Sequence, residues 1–97
     1  MLIIAGSITV DPQRRDALVA AHCDLVRRAR DAPGCLDVAV TADPLEPSRV
    51  YNYQRWESWE HLHAWRAVAD APEIEGRIHD VDVMAYEIAS VGPPFPE

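Results

Sequence analysis

Apolar residues recur along the first third of the chain at two spacings, one typical of a strand and one of a helix. Residues 2–10 are rich in aliphatic and β-branched side chains and predict a first strand. A helix is predicted to follow, with Asp11 as its N-cap and Pro12 at its first position. Its apolar residues recur at helical spacing: Leu18, Ala21, Leu25 and Ala29. Pro33-Gly34 ends this helix.

Two more strands and a turn are predicted in the middle of the chain. Residues 35–41 form a strand with Leu36, Val38 and Val40 on one side, and residues 49–57 form another that is rich in Val, Tyr and Trp. The segment between them, with Pro44 and Pro47, is typical of a turn. Ser58 is predicted to cap a second helix. The apolar stripe of that helix is Trp59, Leu62, Trp65 or Arg66, and Ala69.

Proline divides the last part of the chain into short segments. Ala71-Pro72 interrupts the second helix, and a short helical piece is predicted over residues 73–79. Residues 81–89 predict the last strand. Residues 91–97 hold three prolines and predict an extended tail without regular structure.

The predicted order of elements is β-α-β-β-α-β, which is typical of a ferredoxin-like α+β fold with one antiparallel four-stranded sheet. We expect residues 1–97 to form one domain. The strands carry apolar side chains on both faces, whereas two helices cover only one face. An uncovered apolar face predicts a second copy of the chain, so we expect a homodimer.

Composition narrows the function. The net charge is −7 and all nine basic residues are arginines, which disfavours nucleic acid as a partner. No apolar run is long enough to cross a membrane, and the apolar start of the chain reads as a strand and not as a signal peptide. We therefore expect a cytoplasmic protein without a membrane partner. Cys23 and Cys35 have neither metal-site nor redox spacing and are expected to be reduced.

One face of the third predicted strand is unusually polar. Asn52, Gln54 and Trp56 alternate and therefore share that face, where a core strand would carry aliphatic residues. Buried amides are unfavourable unless they find hydrogen-bond partners. Such a face either pairs its own groups or holds a flat, polar ligand.

The chain resembles the antibiotic biosynthesis monooxygenase (ABM) family of dimeric α+β barrel proteins. The resemblance covers most of residues 1–90. It rests on three segments: Asp11-Pro12, Ala32-Pro33-Gly34-Cys35-Leu36, and Trp56-Glu57-Ser58-Trp59-Glu60. It implies a homodimeric enzyme that oxidises a hydroquinone- or anthrone-type aromatic with O2, without metal, flavin or another cofactor.

The resemblance also implies a role for two residues of the third strand. One branch of the family has an Asn and a Trp four residues apart on this strand, and both line the pocket; Asn52 and Trp56 reproduce that spacing. Asn52 would hydrogen-bond a substrate oxygen as charge develops on it, and Trp56 would stack on the rings.

Other candidate residues are predicted from their positions. His22 falls on the apolar stripe of the first helix, and imidazole is suited to a general base. A structural role for His22 stays open. The candidate substrate-binding residues are Gln54, Trp65, His79, Arg77 and Tyr86, where Tyr86 can serve either face of the sheet.

The departures from the family keep other functions open. Many members have two histidines where this chain has Trp65 and Glu73. A haem-degrading branch uses an Asn where this chain has Ser7, a Trp that Trp65 matches, and a His ligand that His79 follows by a few residues. The alternatives are therefore a haem-binding or haem-degrading monooxygenase, a non-oxidative isomerase or lyase, and a non-catalytic binding dimer.

Overall fold

The chain forms a four-stranded antiparallel sheet with helices on one side, in a computed structural model that describes residues 1–72 and 78–95. The elements in chain order are β1 (Leu2–Val10), α1 (Arg15–Ala21), α2 (Cys23–Arg30), β2 (Cys35–Ala42), β3 (Arg49–Trp56), α3 (Trp59–Arg66) and β4 (Ile78–Glu87). The strand order is β2-β3-β1-β4, and all neighbours are antiparallel. This topology confirms the predicted ferredoxin-like α+β fold.

The helices and the sheet meet in two apolar clusters. The larger joins Ala29 of α2 and Leu62 of α3 to the sheet residues Leu2, Ile4, Val38 and Trp56. The smaller joins Leu18 of α1 to Val10 and Val50. We call this side of the sheet the covered face and the other side the open face. Burial of these apolar side chains is the main force that holds the helices on the sheet.

The first helical region starts later than predicted and is split. Asp11 does not cap a helix: its carboxylate accepts a hydrogen bond from Gln13 N at 2.9 Å, and its carbonyl accepts one from Arg14 N. This local turn replaces the first helical turn, so α1 begins at Arg15. At His22 the backbone N–H is shared between the carbonyls of Leu18 and Val19, and this tight turn separates α1 from α2.

The predicted start of the second helix is confirmed. Ser58 is the N-cap of α3, and its side chain accepts a hydrogen bond from His61 N at 3.2 Å. Leu62 is fully buried and Trp65 half-buried, as the stripe predicts. Trp59, the first residue of the stripe, is 37% exposed and donates its indole N–H to Glu87 at the end of β4.

Two strand boundaries also differ from the prediction. The register of β2 shifts between Cys35 and Asp37, which places Leu36 at an irregularity and exposes it instead of aligning it with Val38 and Val40. The last strand begins at Ile78, so a helix extending to His79 is wrong. Residues 73–77 of that predicted helix lie outside the described residues. The described tail, residues 91–95, has no helix or strand.

Asp43 organises the turn between β2 and β3. Its buried carboxylate accepts hydrogen bonds from Leu45 N at 2.7 Å and Glu46 N at 3.1 Å, and it pairs with Arg49 at 3.3 Å. The two backbone N–H groups are the main cause that lowers the pKa of Asp43 below its usual range. The carboxylate is therefore ionised at neutral pH and holds the turn.

Gly34 is a position where the fold requires glycine. Its φ is +79°, and a Cβ there would collide with the ring of His61. We predict that Gly34→Ala lowers the free energy of unfolding by about 1–3 kcal/mol, because strain in the backbone adds to this collision. Thermal unfolding measures the loss. Gly92→Ala is the control, because a Cβ at Gly92 meets nothing within 4 Å. Equal stability of the two variants would contradict the prediction.

No helix among the described residues is long and apolar enough to cross a membrane.

Candidate functional site

The covered face of the sheet has an amide and a glycine side by side between the two apolar clusters. In the strand register, Asn52 of β3 pairs with Val40 of β2 and with Gly6 of β1, and Gly6 pairs with Val83 of β4. Paired residues of antiparallel strands lie on the same face. We call these four residues, Val40, Asn52, Gly6 and Val83, the Asn52 row.

The Asn52 row interrupts the core. Along β3, Val50 belongs to the smaller cluster and Trp56 to the larger one, and Asn52 lies between them. Along β1, Gly6 lies between Ile4 of the larger cluster and Ile8, which packs on the smaller one. An amide and a glycine therefore take the places where apolar side chains would join the two clusters.

Gly6 keeps the centre of the row free of a side chain. Its φ is +153°, and a Cβ there would collide with the carbonyl of Asp82 and the backbone of Val83. Only glycine fits at this close approach of β1 and β4. Gly6 was not among the candidate residues predicted from the sequence, although an isolated glycine within an apolar strand indicates a close approach of two backbones.

A hydrogen-bonded relay runs along the covered face of β3. The indole Nε1 of Trp56 donates to Oε1 of Gln54 at 3.0 Å, and Nε2 of Gln54 donates to Oδ1 of Asn52 at 3.1 Å. The alternation of a strand brings these three side chains to one face, as predicted. The polar groups of this face therefore find partners in one another.

Trp56 and Trp65 form an aromatic wall beside the relay. Trp56 is fully buried, and its ring stacks on that of Trp65 with centroids 6.5 Å apart and planes 23° apart. The guanidinium of Arg28 lies 5.7 Å from the Trp65 ring and donates to the carbonyl of Ala69 at 2.7 Å. Arg28 thus joins α2 to the segment after α3 and was not anticipated as a contributor to the site.

His22 lies level with the gap between the clusters. It is four residues after Leu18, which belongs to the smaller cluster, and four before Val26, which packs on the larger one. The half-buried ring donates from Nδ1 to the carbonyl of Leu18 at 2.8 Å, because a carbonyl can only accept. In the neutral imidazole this leaves Nε2 as a proton acceptor.

A groove of about 490 Å³ lies between the α1–α2 region and β2. Val40, the neighbour of Asn52 in the row, forms part of its wall together with Val26, whereas the other three residues of the row do not line it. Ala39 and Thr41, on the open face, line it as well, so the groove extends around the edge of the sheet. A volume of this size is in the range of sites for small molecules.

Two predicted substrate-binding residues, Tyr86 and His79, do not lie at the Asn52 row. Tyr86 pairs with Ile3 and therefore lies on the open face, because it alternates with the residues of the covered face. His79 is exposed on β4, four residues from Val83 and thus about 13 Å away along the strand. The structure therefore does not bring either residue together with Asn52. Arg77 lies outside the described residues.

The cysteines lack the features of catalytic groups. Both are free thiols, and burial, aided by the charge of Asp37, raises the pKa of Cys35. The thiol form therefore dominates at neutral pH and is a weak nucleophile. Among residues 1–72 and 78–95, no three His, Cys, Asp or Glu side chains are grouped as metal ligands.

The fold and the Asn52 row define a ferredoxin-like α+β domain with a candidate site for a small ligand between the sheet and the helices. The chain belongs to the antibiotic biosynthesis monooxygenase family, whose sequence model matches residues 1–72. No curated protein sequence matches the chain at significant similarity.

Several solved structures share the fold. A protein of Deinococcus radiodurans, provisionally described as an antibiotic biosynthesis monooxygenase, is 16% identical with a TM-score of 0.74, over 99% of this chain and 100% of that one. A similarly described protein of Chloroflexus aurantiacus is 24% identical, with a TM-score of 0.65 over 94% and 96%. The haem degrader MhuD of Mycobacterium tuberculosis is 17% identical, with a TM-score of 0.68 over 95% and 100%.

Proposed function

We propose that the protein is a cofactor-independent monooxygenase that oxidises a hydroquinone- or anthrone-type aromatic with O2 at the Asn52 row. The observation that carries this proposal is the placement of Asn52 on the covered face, at the gap between the two apolar clusters, with Trp56 of the larger cluster joined to it through Gln54. Family membership supports the class of reaction. The aromatic wall of Trp56 and Trp65 supports a flat substrate.

The proposed chemistry uses electrons from the substrate. For an anthrone, the methylene carbon becomes a carbonyl: one oxygen atom of O2 enters the carbonyl and the other leaves as water. The four electrons that O2 takes up come from the two C–H bonds of that carbon. The reaction starts with loss of a proton, which gives an electron-rich enolate that reduces O2.

Two residues are proposed to assist this start. The Asn52 amide would hydrogen-bond the enolate oxygen and stabilise its charge. His22 has its Nδ1 engaged by the Leu18 carbonyl, so Nε2 is the nitrogen that would accept the proton. The apolar clusters on both sides of the row would limit access of water to the reactive anion.

We also propose a homodimer that covers the open face. The large side chains Met84 and Tyr86 are 57% and 52% exposed there, and Tyr51 is 41% exposed. Arg55, on the same face, has a buried Nε that finds no hydrogen-bond partner among the described residues. A second copy would cover these apolar groups and supply a partner for this atom.

Oxygen uptake by the purified, metal-stripped protein tests the proposed function. With a panel of anthrones and hydroquinones, we expect uptake that requires folded protein, is absent after heat denaturation, and places one atom from labelled O2 in the product. Product formation without O2 uptake would instead indicate an isomerase or lyase. Binding of the panel compounds without turnover would indicate a binding module, and either result would contradict the proposal.

Haem degradation is the second candidate, because MhuD shares the fold and Trp65 lies beside the candidate site. The other two positions of that branch do not fit. Ser7 pairs with Tyr51 and lies on the open face, and His79 is exposed near the start of β4. Titration with haemin separates the two candidates. A Soret band that saturates at one or two haems per chain would favour a haem-binding or haem-degrading protein.

A further inference from the structure

We propose that Gln54 is a positioning residue: it turns Asn52 so that the amide NH2 faces the ligand, and the site therefore selects a ligand with a hydrogen-bond acceptor oxygen. The inference rests on the proposed location of the site at the Asn52 row. It goes beyond the proposed reaction by naming the residue that sets the direction of the Asn52 amide.

The direction of the relay is fixed at its buried end. The indole of Trp56 has a single polar group, an N–H that can only donate. Gln54 must therefore present its oxygen to Trp56, and the 3.0 Å contact joins Nε1 to Oε1. The opposite orientation of the Gln54 amide would bring two donors together and leave a buried N–H unpaired, which is unfavourable.

The same reasoning carries the direction to Asn52. The Gln54 amide turns its two polar atoms to different partners: Oε1 lies against Trp56, so the atom that faces Asn52 is Nε2, which can only donate. Asn52 must accept with Oδ1, and the contact of 3.1 Å joins these atoms. The indole N–H of Trp56, which can only donate, therefore determines the orientation of both amides. Shape alone does not determine it, because the oxygen and nitrogen ends of an amide are nearly the same size.

The start of the relay is held rigidly. Trp56 is 0% exposed, belongs to the larger cluster and stacks on Trp65, so its indole has no room to turn. The other two side chains follow at alternate positions of the same strand. The fixed position of the Trp56 indole therefore sets the orientation of the Gln54 amide and, through it, that of the Asn52 amide at the edge of the gap.

The free end of the relay is a hydrogen-bond donor. Within residues 1–72 and 78–95, no hydrogen bond engages Nδ2 of Asn52, and its two protons remain for a ligand. An NH2 group stabilises a carbonyl, enolate or phenolate oxygen and offers nothing to an N–H or ammonium group. This donor is suited to a substrate whose oxygen gains negative charge during the reaction.

Replacing Gln54 with glutamate reverses the expected orientation with little change of shape. A carboxylate still accepts from Trp56 but cannot donate to Asn52. Asn52 then turns to donate Nδ2 to Glu, and its Oδ1 faces the ligand. The site changes from donor to acceptor, while Gln54→Leu removes the relay and leaves Asn52 without a set orientation.

The affinities of two flat tricyclic compounds of nearly equal shape show whether Asn52 presents a donor or an acceptor to the ligand. 9-Fluorenone carries only an acceptor oxygen, and carbazole carries only a donor N–H. We expect the wild type to bind 9-fluorenone about ten-fold more tightly than carbazole, Gln54→Glu to reverse the preference, and Gln54→Leu to bind both alike. Calorimetry or fluorescence titration measures the affinities, and thermal unfolding checks that each variant is folded.

The side-chain resonances of ¹⁵N-labelled protein test the orientation without any ligand. We expect the Asn52 NH2 protons to exchange rapidly with solvent in the wild type and one of them to be protected in Gln54→Glu. Protection already in the wild type, or an unchanged preference in Gln54→Glu, would overturn the inference. If the orientation reverses as expected but neither compound binds any of the three proteins, the selectivity is wrong and the proposed site fails with it.

Discussion

Replacing Asn52 with leucine is expected to lower turnover about 100-fold on any substrate that the wild type oxidises. Leucine has nearly the same size and shape, so the change removes the amide and little volume. The lost group is the one that would stabilise the charge on the substrate oxygen. Initial rates of O2 uptake at saturating substrate measure the effect, and kcat is expected to fall more than KM rises.

A matched control separates chemistry from a general effect of losing an amide. Gln13→Leu makes the same type of change at an exposed position before α1, where the backbone N–H of Gln13 donates to Asp11 and its side chain makes no hydrogen bond with residues 1–72 or 78–95. We expect wild-type turnover for this variant. Wild-type turnover of Asn52→Leu would remove Asn52 from the mechanism.

Replacing Trp56 with alanine is expected to lower the free energy of unfolding by about 3–5 kcal/mol. Trp56 is the largest of the fully buried side chains, and the substitution would leave a cavity between the sheet and α3. A small domain has a total stability of only about 5–15 kcal/mol, so this loss is a large fraction of the total. Chemical denaturation followed by circular dichroism measures the loss.

Trp59→Ala is the control for this change. Trp59 is 37% exposed, and its indole donates a hydrogen bond to the Glu87 carboxylate at 3.1 Å. The same substitution there is expected to cost less than about 1 kcal/mol. A loss at Trp56 no greater than that at Trp59 would contradict the packing described for the larger cluster.

The strands and their faces could be predicted because alternation is a local property. The bounds of β1 agree with the pattern of residues 2–10, and the shared face of Asn52, Gln54 and Trp56 follows directly from a period of two. The cap at Ser58 is also local, since its partner is three residues away. These features depend on neighbours along the chain and not on the tertiary structure.

The features that sequence reasoning missed depend on contacts between distant or competing groups. Asp11 has the residue type of a helix cap, but its carboxylate engages Gln13 N in a turn, and the sequence does not show which bond forms. The split at His22 arises from competition for the Leu18 carbonyl, which both the backbone N–H and the ring of His22 approach.

In the candidate site, too, some features follow from local sequence and others from contacts between distant residues. Asn52 could be identified from its strand, whereas Gly6, Val40 and Val83 become its neighbours only through the register of three strand pairs. Tyr86 was open to either face from the sequence, because a one-residue shift in register reverses every side chain of a strand. The direction of the relay required the contacts of Trp56.

The proposed function requires that the ligand binds on the covered face at the Asn52 row. Titration of ¹⁵N-labelled protein with anthrone in O2-free buffer, followed by ¹H–¹⁵N spectra, tests it most directly. We predict shifts at the backbone amides of Gly6 and Val83, the Asn52 NH2 group and the Trp56 indole. Shifts confined to residues of the open face, such as Tyr51 and Tyr86, would show that the ligand does not bind at the Asn52 row.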